Sequence, residues 1–277
     1  MQIKQTDIKI GVEKPFSLVH ISDTHFTLAD ERNDERKIRL SKEREKVFIP
    51  YPEDKLREAE EYARENGLKI VHTGDFIDFV SAANLDRAKR FIDQNDVLFI
   101  AGNHEFSLYV GEAFEDEAYR NQSLDYVQQY FKEDIRFNAR QLGGVNFVGI
   151  DNGYYRFDRG QLAALKEQVA LGIPIILFMH NPLFEKNLFE FEMVKTKGLC
   201  ANIVGTPEDF LIRNFEKRQP VLKPDEPTAE MYDYIKSQPL IKAVITGHLH
   251  YDFESMVTDT LPQYVTGIDT IRRINIF

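Results

Sequence analysis

The stretch Leu68-Lys69-Ile70-Val71-His72-Thr73-Gly74-Asp75-Phe76-Ile77-Asp78 holds the key to the fold of this chain. Leu68 to Thr73 is a short apolar run rich in β-branched residues, the pattern of a strand buried on both faces. Gly74 punctuates it, and two carboxylates, Asp75 and Asp78, follow where strand gives way to loop. The pattern recurs near the N-terminus. Val19-His20-Ile21-Ser22-Asp23 matches Val71-His72-Thr73-Gly74-Asp75 in setting a histidine three positions before an aspartate. His20 and His72 then read as hydrogen-bonded core histidines inside neighbouring strands.

Working outward, Phe16–Ile21, Val97–Ala101, Val145–Ile150, Ile173–Met179 and Ile241–Thr246 are further buried-strand runs. Amphipathic patterns alternate with them. Glu53–Asn66 stops at Gly67, and Asn84–Asp93, Phe114–Phe131, Arg159–Leu171 and Thr228–Ser237 are further helix candidates. Tyr251–Phe277 holds strand-like pieces with no helix between them. The class is α/β with one antiparallel edge. A chain of 277 residues can bury a sizeable core, and it reads as a single domain over 1–277. Two segments break the rhythm. Residues 30–46 carry 13 charges in 17 positions, the composition of a solvated insertion. Residues 182–226 are interrupted by proline and carry Phe184, Phe189, Phe191, Phe210 and Phe215. A loop of that length is functional or has its own structure. It is expected near the pocket mouth as a substrate or cap insertion, with most of its phenylalanines in ordinary packing.

Composition excludes several partners. The net charge of −10 (35 Lys and Arg against 45 Asp and Glu) disfavours long nucleic acids and anionic membranes. No apolar run approaches the ~20 residues of a membrane span. The N-terminus has no signal-peptide core, and a lone cysteine, Cys200, cannot form an intrachain disulfide, so a cytoplasmic location is expected. Cys200 has no catalytic neighbours and reads as inert.

Five polar clusters follow the strand runs: Asp23-Thr24-His25, Gly74 to Asp78, Gly102-Asn103-His104-Glu105, His180-Asn181-Pro182, and Gly247-His248-Leu249-His250. Ligands of open α/β sheets bind at the carboxyl ends of the strands, so the clusters should meet at one rim. Where a strand runs out, residues i and i+2 point the same way, so Asp23 with His25, or His248 with His250, can grip one ion. The donors are carboxylate, imidazole and amide without thiolate, which suits Mn²⁺, Fe²⁺/Fe³⁺ or Zn²⁺ at a catalytic rather than structural site. There are donors enough for two ions sharing a carboxylate. Taken singly, Asp23 or Asp75 could equally cap the next helix. Glu105 reads as loop support, and Asp151 as a turn residue.

The ordered series Asp-x-His, Gly-Asp-x-x-Asp, Gly-Asn-His-Glu, His, Gly-His-x-His resembles the calcineurin-like metallophosphoesterase superfamily over residues 16–277, apart from the two irregular segments. The resemblance implies a four-layer αββα sandwich with two mixed β-sheets. It implies that Asp23, His25, Asp75 and His250 surround one metal ion, and that Asp75, Asn103, His180 and His248 surround a second. It also implies that a metal-activated hydroxide attacks a phosphate ester, with His104 as general acid oriented by Asp78. The arginines typical of the protein-phosphatase branch are replaced by Phe79 and Ala101, and the acidic balance does not fit a DNA-repair nuclease. The chain looks most like the bacterial cyclic-nucleotide phosphodiesterase-like group, acting on a small phosphodiester or phosphomonoester. The alternatives are a catalytically weak or inactive binding scaffold on the same fold and a protein phosphatase.

Overall fold

The computed structural model describes residues 1–48, 51–111, 116–197, 201–211 and 219–277; Cys200 and Phe215 lie outside the described residues. The strands are β1 (Gln2–Ile8), β2 (Phe16–Ile21), β3 (Lys69–His72), β4 (Leu98–Phe99), β5 (Phe137–Leu142), β6 (Val145–Ile150), β7 (Ile175–Met179), β8 (Ile241–Thr246), β9 (Phe253–Thr258), β10 (Leu261–Val265) and β11 (Thr270–Ile276). The helices are α1 (Glu35–Glu45), α2 (Pro52–Asn66), α3 (Ala82–Asn95), α4 (Glu117–Asn121), α5 (Leu124–Gln128), α6 (Arg159–Ala170), α7 (Lys186–Lys195), α8 (Glu208–Leu211), α9 (Gln219–Leu222) and α10 (Glu226–Ser237). Each expected strand run forms a strand, with ends trimmed by up to two residues. The expected helix over Phe114–Phe131 differs. Among the described residues it is two short helices, parted at Ser123, whose hydroxyl donates to the carbonyls of Phe106 and Arg120 instead of leaving the main chain to propagate.

The strands form two sheets, ordered β1-β11-β2-β3-β4 and β5-β6-β7-β8-β10-β9. Both are mixed. In the first, the antiparallel pairing is internal, between β11 and β2, and in the second both edge strands, β5 and β9, run antiparallel. This replaces the single antiparallel edge expected from the sequence. The period-2 alternation of side chains explains the layers. Leu18, Val71, Leu98 and Ile274 of the first sheet meet Phe147, Ile176, Phe178 and Ile245 of the second in a core between the sheets. Val19, Ile21 and Ile70 point the other way, onto Leu56 and Ala59 of α2 and Leu85 and Phe91 of α3. Val148, Leu177 and Val244 likewise meet Leu162 and Leu165 of α6 and Met231 and Ile235 of α10. The result is the αββα sandwich. Among the described residues no helix is long and apolar enough to cross a membrane.

Because parallel strands dominate the centre of each sheet, the carboxyl ends of β2, β3, β4, β7 and β8 share one end of the sandwich. Polar side chains tie the sheets together there. His20 sits between Thr73 and Thr266 at 2.8 Å from each, and burial holds its imidazole well below the ordinary histidine range. His72, which faces the α3 side, meets the Thr24 hydroxyl at 2.7 Å and is held down to about 3 by burial. Both are core histidines. Arg272 on β11 is fully buried and donates to Thr6 on β1, to Thr266 and the Val265 carbonyl, to Asp252 just before β9 and to Glu254 within it.

Truncating one partner of a buried polar network leaves the others unsatisfied. Arg272→Met is therefore expected to destabilise the fold by about 3 kcal/mol and lower the Tm by roughly 6–12 °C. Arg159→Ala removes only exposed pairs with Glu226 and Glu230 and should stay within about 0.5 kcal/mol. Thermal melting of the two variants checks this; an Arg272→Met protein that melts with wild type would show that the network contributes no net stability.

Candidate metal centre

Asp23, His25, Asp75, His248 and His250 all leave their strands in the left-handed region, with φ of 58°, 52°, 53°, 70° and 58°. The convergence of Asp23 with His25, and of His248 with His250, thus comes from tight turns rather than from an extended strand end. Such backbone is costly for non-glycine residues and persists only where the surroundings enforce it. Two glycines make room: a Cβ on Gly247 would run into Ser22 and Asp23, and one on Gly102 into Asp75 and His180. Glu105 holds the loops. It is buried, and its carboxylate accepts the main-chain N–H groups of Asp75, Phe76, Ile77 and Gly102. Burial and the adjacent Asp75 charge push it up to about 7.

Each site carboxylate spends one oxygen on the backbone. Asp23 Oδ2 accepts the N–H of His248 and Asp75 Oδ1 that of His104, both at 2.8 Å. The other oxygens face imidazoles. Asp23 Oδ1, buried and without a hydrogen bond, lies 3.5, 3.8 and 4.0 Å from Nε2 of His250, His25 and His180. Asp75 Oδ2 lies 3.1 Å from His180 Nε2 and 3.8 Å from His25 Nε2. His25 Nε2 is 3.0 Å from His250 Nε2, and His248 Nδ1 is 3.1 Å from His180 Nε2. Among the described residues three donor sets result, Asp23/His25/His250, Asp75/His180/His248 and, towards the rim, His25/Asp78/His104; Asp75 reaches the first two. Asn103 is buried in the same loop, at the head of the 3-10 turn His104–Phe106.

These spacings fit metal ions. Donors each about 2.1 Å from one cation stand about 3.0–4.2 Å apart, depending on the angle between them. The separations between carboxylate oxygens and imidazole nitrogens, and between imidazole nitrogens, fall in that interval. The electrostatics agree. Burial alone would raise the Asp23 carboxyl, yet His25, His250 and the charge of His180 hold it well below the carboxylate range. Burial opposes charge on His25, but Asp23, Asp78 and Asp75 raise it to about 10; Asp75 and Asp23 likewise raise His180 to about 9. Buried carboxylates placed this close together call for positive charge beside them.

His104 lies at the rim with its side chain 19% exposed, and its Nδ1 is 2.7 Å from the main-chain carbonyl of Asp78. The Asp78 carboxylate stands farther off, at 3.4 Å, with His25 Nδ1 at 3.2 Å. Its stronger partner is one that sequence reasoning missed: Arg44 of α1 donates Nε and Nη2 to Asp78 at 2.6 and 2.9 Å. The charged insertion is thus more than a solvated face. Lys37 donates to the Val80 carbonyl, Ser41 to that of Thr27, and Phe48 stacks on His25 with ring centroids 4.6 Å apart. Lys37, Ser41, Arg44 and Phe48 recur at i, i+4, i+7 and i+11, a helix-face signal that the density of charge conceals.

The 182–226 segment packs under the Gly247–His250 turn. Leu188, Phe189, Ala201 and Ile203 bury Leu249, while Phe184, Phe189 and Phe210 form one aromatic cluster and Phe191 packs on Tyr251 and Phe253. These phenylalanines do ordinary packing. Asp151 is buried in a turn, where it accepts the Gly153 N–H and pairs with Arg136. Phe79 and Ala101 are buried, so no arginine reaches the site from those positions.

Known proteins match this description. The calcineurin-like phosphoesterase family model covers residues 16–252. Comparison with curated protein sequences gives no match. Among solved structures, a dimetal phosphatase from Danio rerio aligns with a TM-score of 0.54 at 15% identity, over 91% of this chain and 88% of that one. A calcineurin-like phosphoesterase from Bacillus subtilis aligns with a TM-score of 0.42 at 12% identity, over 91% and 81% of the two chains. A 5′-nucleotidase from Candida albicans aligns with a TM-score of 0.40 at 15% identity, over 91% of this chain and 45% of that one. The first of these likenesses speaks for the sandwich fold, and the family model for the ancestry: the chain belongs to the calcineurin-like phosphoesterase family of phosphoester hydrolases.

Proposed function

We propose that the chain hydrolyses a small phosphate ester, a phosphodiester or phosphomonoester, at a two-ion centre. The observation that carries this reading is the pair of donor sets joined at Asp75, all spaced as ligands of shared cations. Asp23, His25, Asp75 and His250 hold one ion, and Asp75, Asn103, His180 and His248 hold the other. Carboxylate, imidazole and amide donors suit Mn²⁺, Fe²⁺/Fe³⁺ or Zn²⁺. Bound there, two cations supply Lewis-acid polarisation of the phosphoryl group and a lowered pKa for the attacking water.

The rest of the chemistry belongs to side chains. His104 Nδ1 donates to the Asp78 carbonyl, which leaves Nε2 to give its proton to the departing oxygen as general acid. Asp78 positions His104 through that carbonyl, and Arg44 anchors Asp78 in turn. We place the enzyme in the cytoplasm and its substrate among small phosphate esters, such as cyclic nucleotides, rather than long nucleic acids, because the field of a −10 chain repels polyanions.

The test is a panel of p-nitrophenyl phosphate, bis(p-nitrophenyl) phosphate and cyclic nucleotides with the Mn²⁺-reconstituted protein. Turnover is expected on at least one; turnover on none would put the non-catalytic scaffold ahead. Asp75→Asn should abolish turnover and weaken both ions. His104→Ala should lower kcat by about 10²–10⁴-fold and leave metal stoichiometry at two. Because native-state ligands stabilise, saturating Mn²⁺ at about 100 times its Kd should add about 2.7 kcal/mol per ion, and EDTA should reverse the resulting rise in Tm. An unchanged melting curve on chelation would contradict the centre.

A further inference from the structure

Among the described residues, eight other than glycine take positive φ. Five are the strand-end residues of the metal centre, and two, Asp96 and Lys197, stand at the ends of α3 and α7. The eighth is Tyr155, at +60°, where a bulky residue is a marked outlier. No helix end explains it. What it gains is position: the ring is buried, its Oη is 2.9 Å from His248 Nε2, and 3.3 Å on the other side is Asn202 Oδ1.

The loop that carries Tyr155 is fastened to the other ligand loops of the same ion. The Asn152 amide donates to the Asn181 carbonyl, and the Asn181 N–H and amide return bonds to Asn152, directly after His180. Gly153 packs so closely on the Gly102–Asn103 backbone that a Cβ would collide with it. Residues 151–155 thus touch the neighbourhoods of Asn103, His180 and His248 together.

We infer that Tyr155 is a positioning residue for the second ion, acting through His248. This inference rests on the two-ion reading above. For Nδ1 of His248 to offer its lone pair beside Asp75 and His180, the ring proton must sit on Nε2, and Tyr155 Oη is the acceptor placed to receive that hydrogen bond. The Tyr155 hydroxyl then donates onward to Asn202. This links His248 by hydrogen bonds to the 182–226 segment.

Mn²⁺ titration by calorimetry of wild type and Tyr155→Phe tests it, with His25→Ala and His180→Ala assigning the two binding events. Wild type should take two ions. Tyr155→Phe, which keeps the ring, should bind the His180-dependent ion roughly 10–100-fold more weakly and the His25-dependent ion as wild type does, the latter reporting that the protein is folded. In a His248→Ala background, Tyr155→Phe should cause no further loss, since its effect runs through that imidazole. Equal affinity of wild type and Tyr155→Phe for both ions would overturn the inference, as would equal weakening of both. A wild type that binds fewer than two ions would instead overturn the two-ion reading on which it rests.

Discussion

Two ionised carboxylates, Asp23 and Asp75, are buried within about 4 Å of the same imidazoles, and much of this end of the molecule is arranged to make that tolerable. An isolated buried carboxylate is too costly to persist, so each must be met by hydrogen bonds and by positive charge. Backbone amides satisfy one oxygen of each. The other oxygens converge, which concentrates negative potential at two points and sets what can bind there. Left-handed backbone at five positions accompanies this convergence, because tight turns bring the polar side chains of the same short cluster together.

Strain of that kind needs an outer frame. Glu105 supplies part of it by binding four amides of two loops at once, so the β3 and β4 loops cannot move independently. Its own carboxyl is pushed up to about 7 by burial and by the adjacent Asp75 charge. The β7 and β8 loops are held by the Thr73 carbonyl on His180 Nδ1 and by the Asp23 carboxylate on the His248 amide. Asp23, Asp75, His180 and His248 are therefore each held by a contact from another loop.

The parts legible in the sequence are those whose physics is local. Apolar runs such as Val145–Ile150 must be strands, and Asp75 or His248 are recognisable because carboxylates and imidazoles directly after such runs are chemically expensive. The β1 strand was harder to read: it is an edge strand with an exposed face, held by pairing with β11 some 268 positions away, so its alternation alone is weak. Arg44 and Tyr155 were invisible for a related reason. Arg44 is one basic residue among many in a charge run, and its partner Asp78 is distant in the chain. Tyr155 follows an Asn-Gly pair that signals only a turn, and its importance lies in a φ angle and a neighbour that no spacing reveals.

The exposure of the cluster's side chains is uneven, and this bears on the paradox of an acidic chain acting on an anion. Asp23, His25, Asp75 and His180 are buried, whereas the His104 and His250 side chains remain 19% and 44% exposed. Both flank His25, with ring centroids 4.8 and 5.0 Å away, so among the described residues of the cluster the imidazoles are more exposed than the carboxylates Asp23 and Asp75. An approaching phosphate meets hydrogen-bond donors first, with the carboxylates behind them. Screening over a Debye length of about 8 Å removes most of the field of remote surface acids. Only charges near the opening then matter, and among these Arg44 is tied to Asp78, which takes one buried acid out of the local balance. A long polyanion, lying across more of the surface, would feel the remaining acids as well.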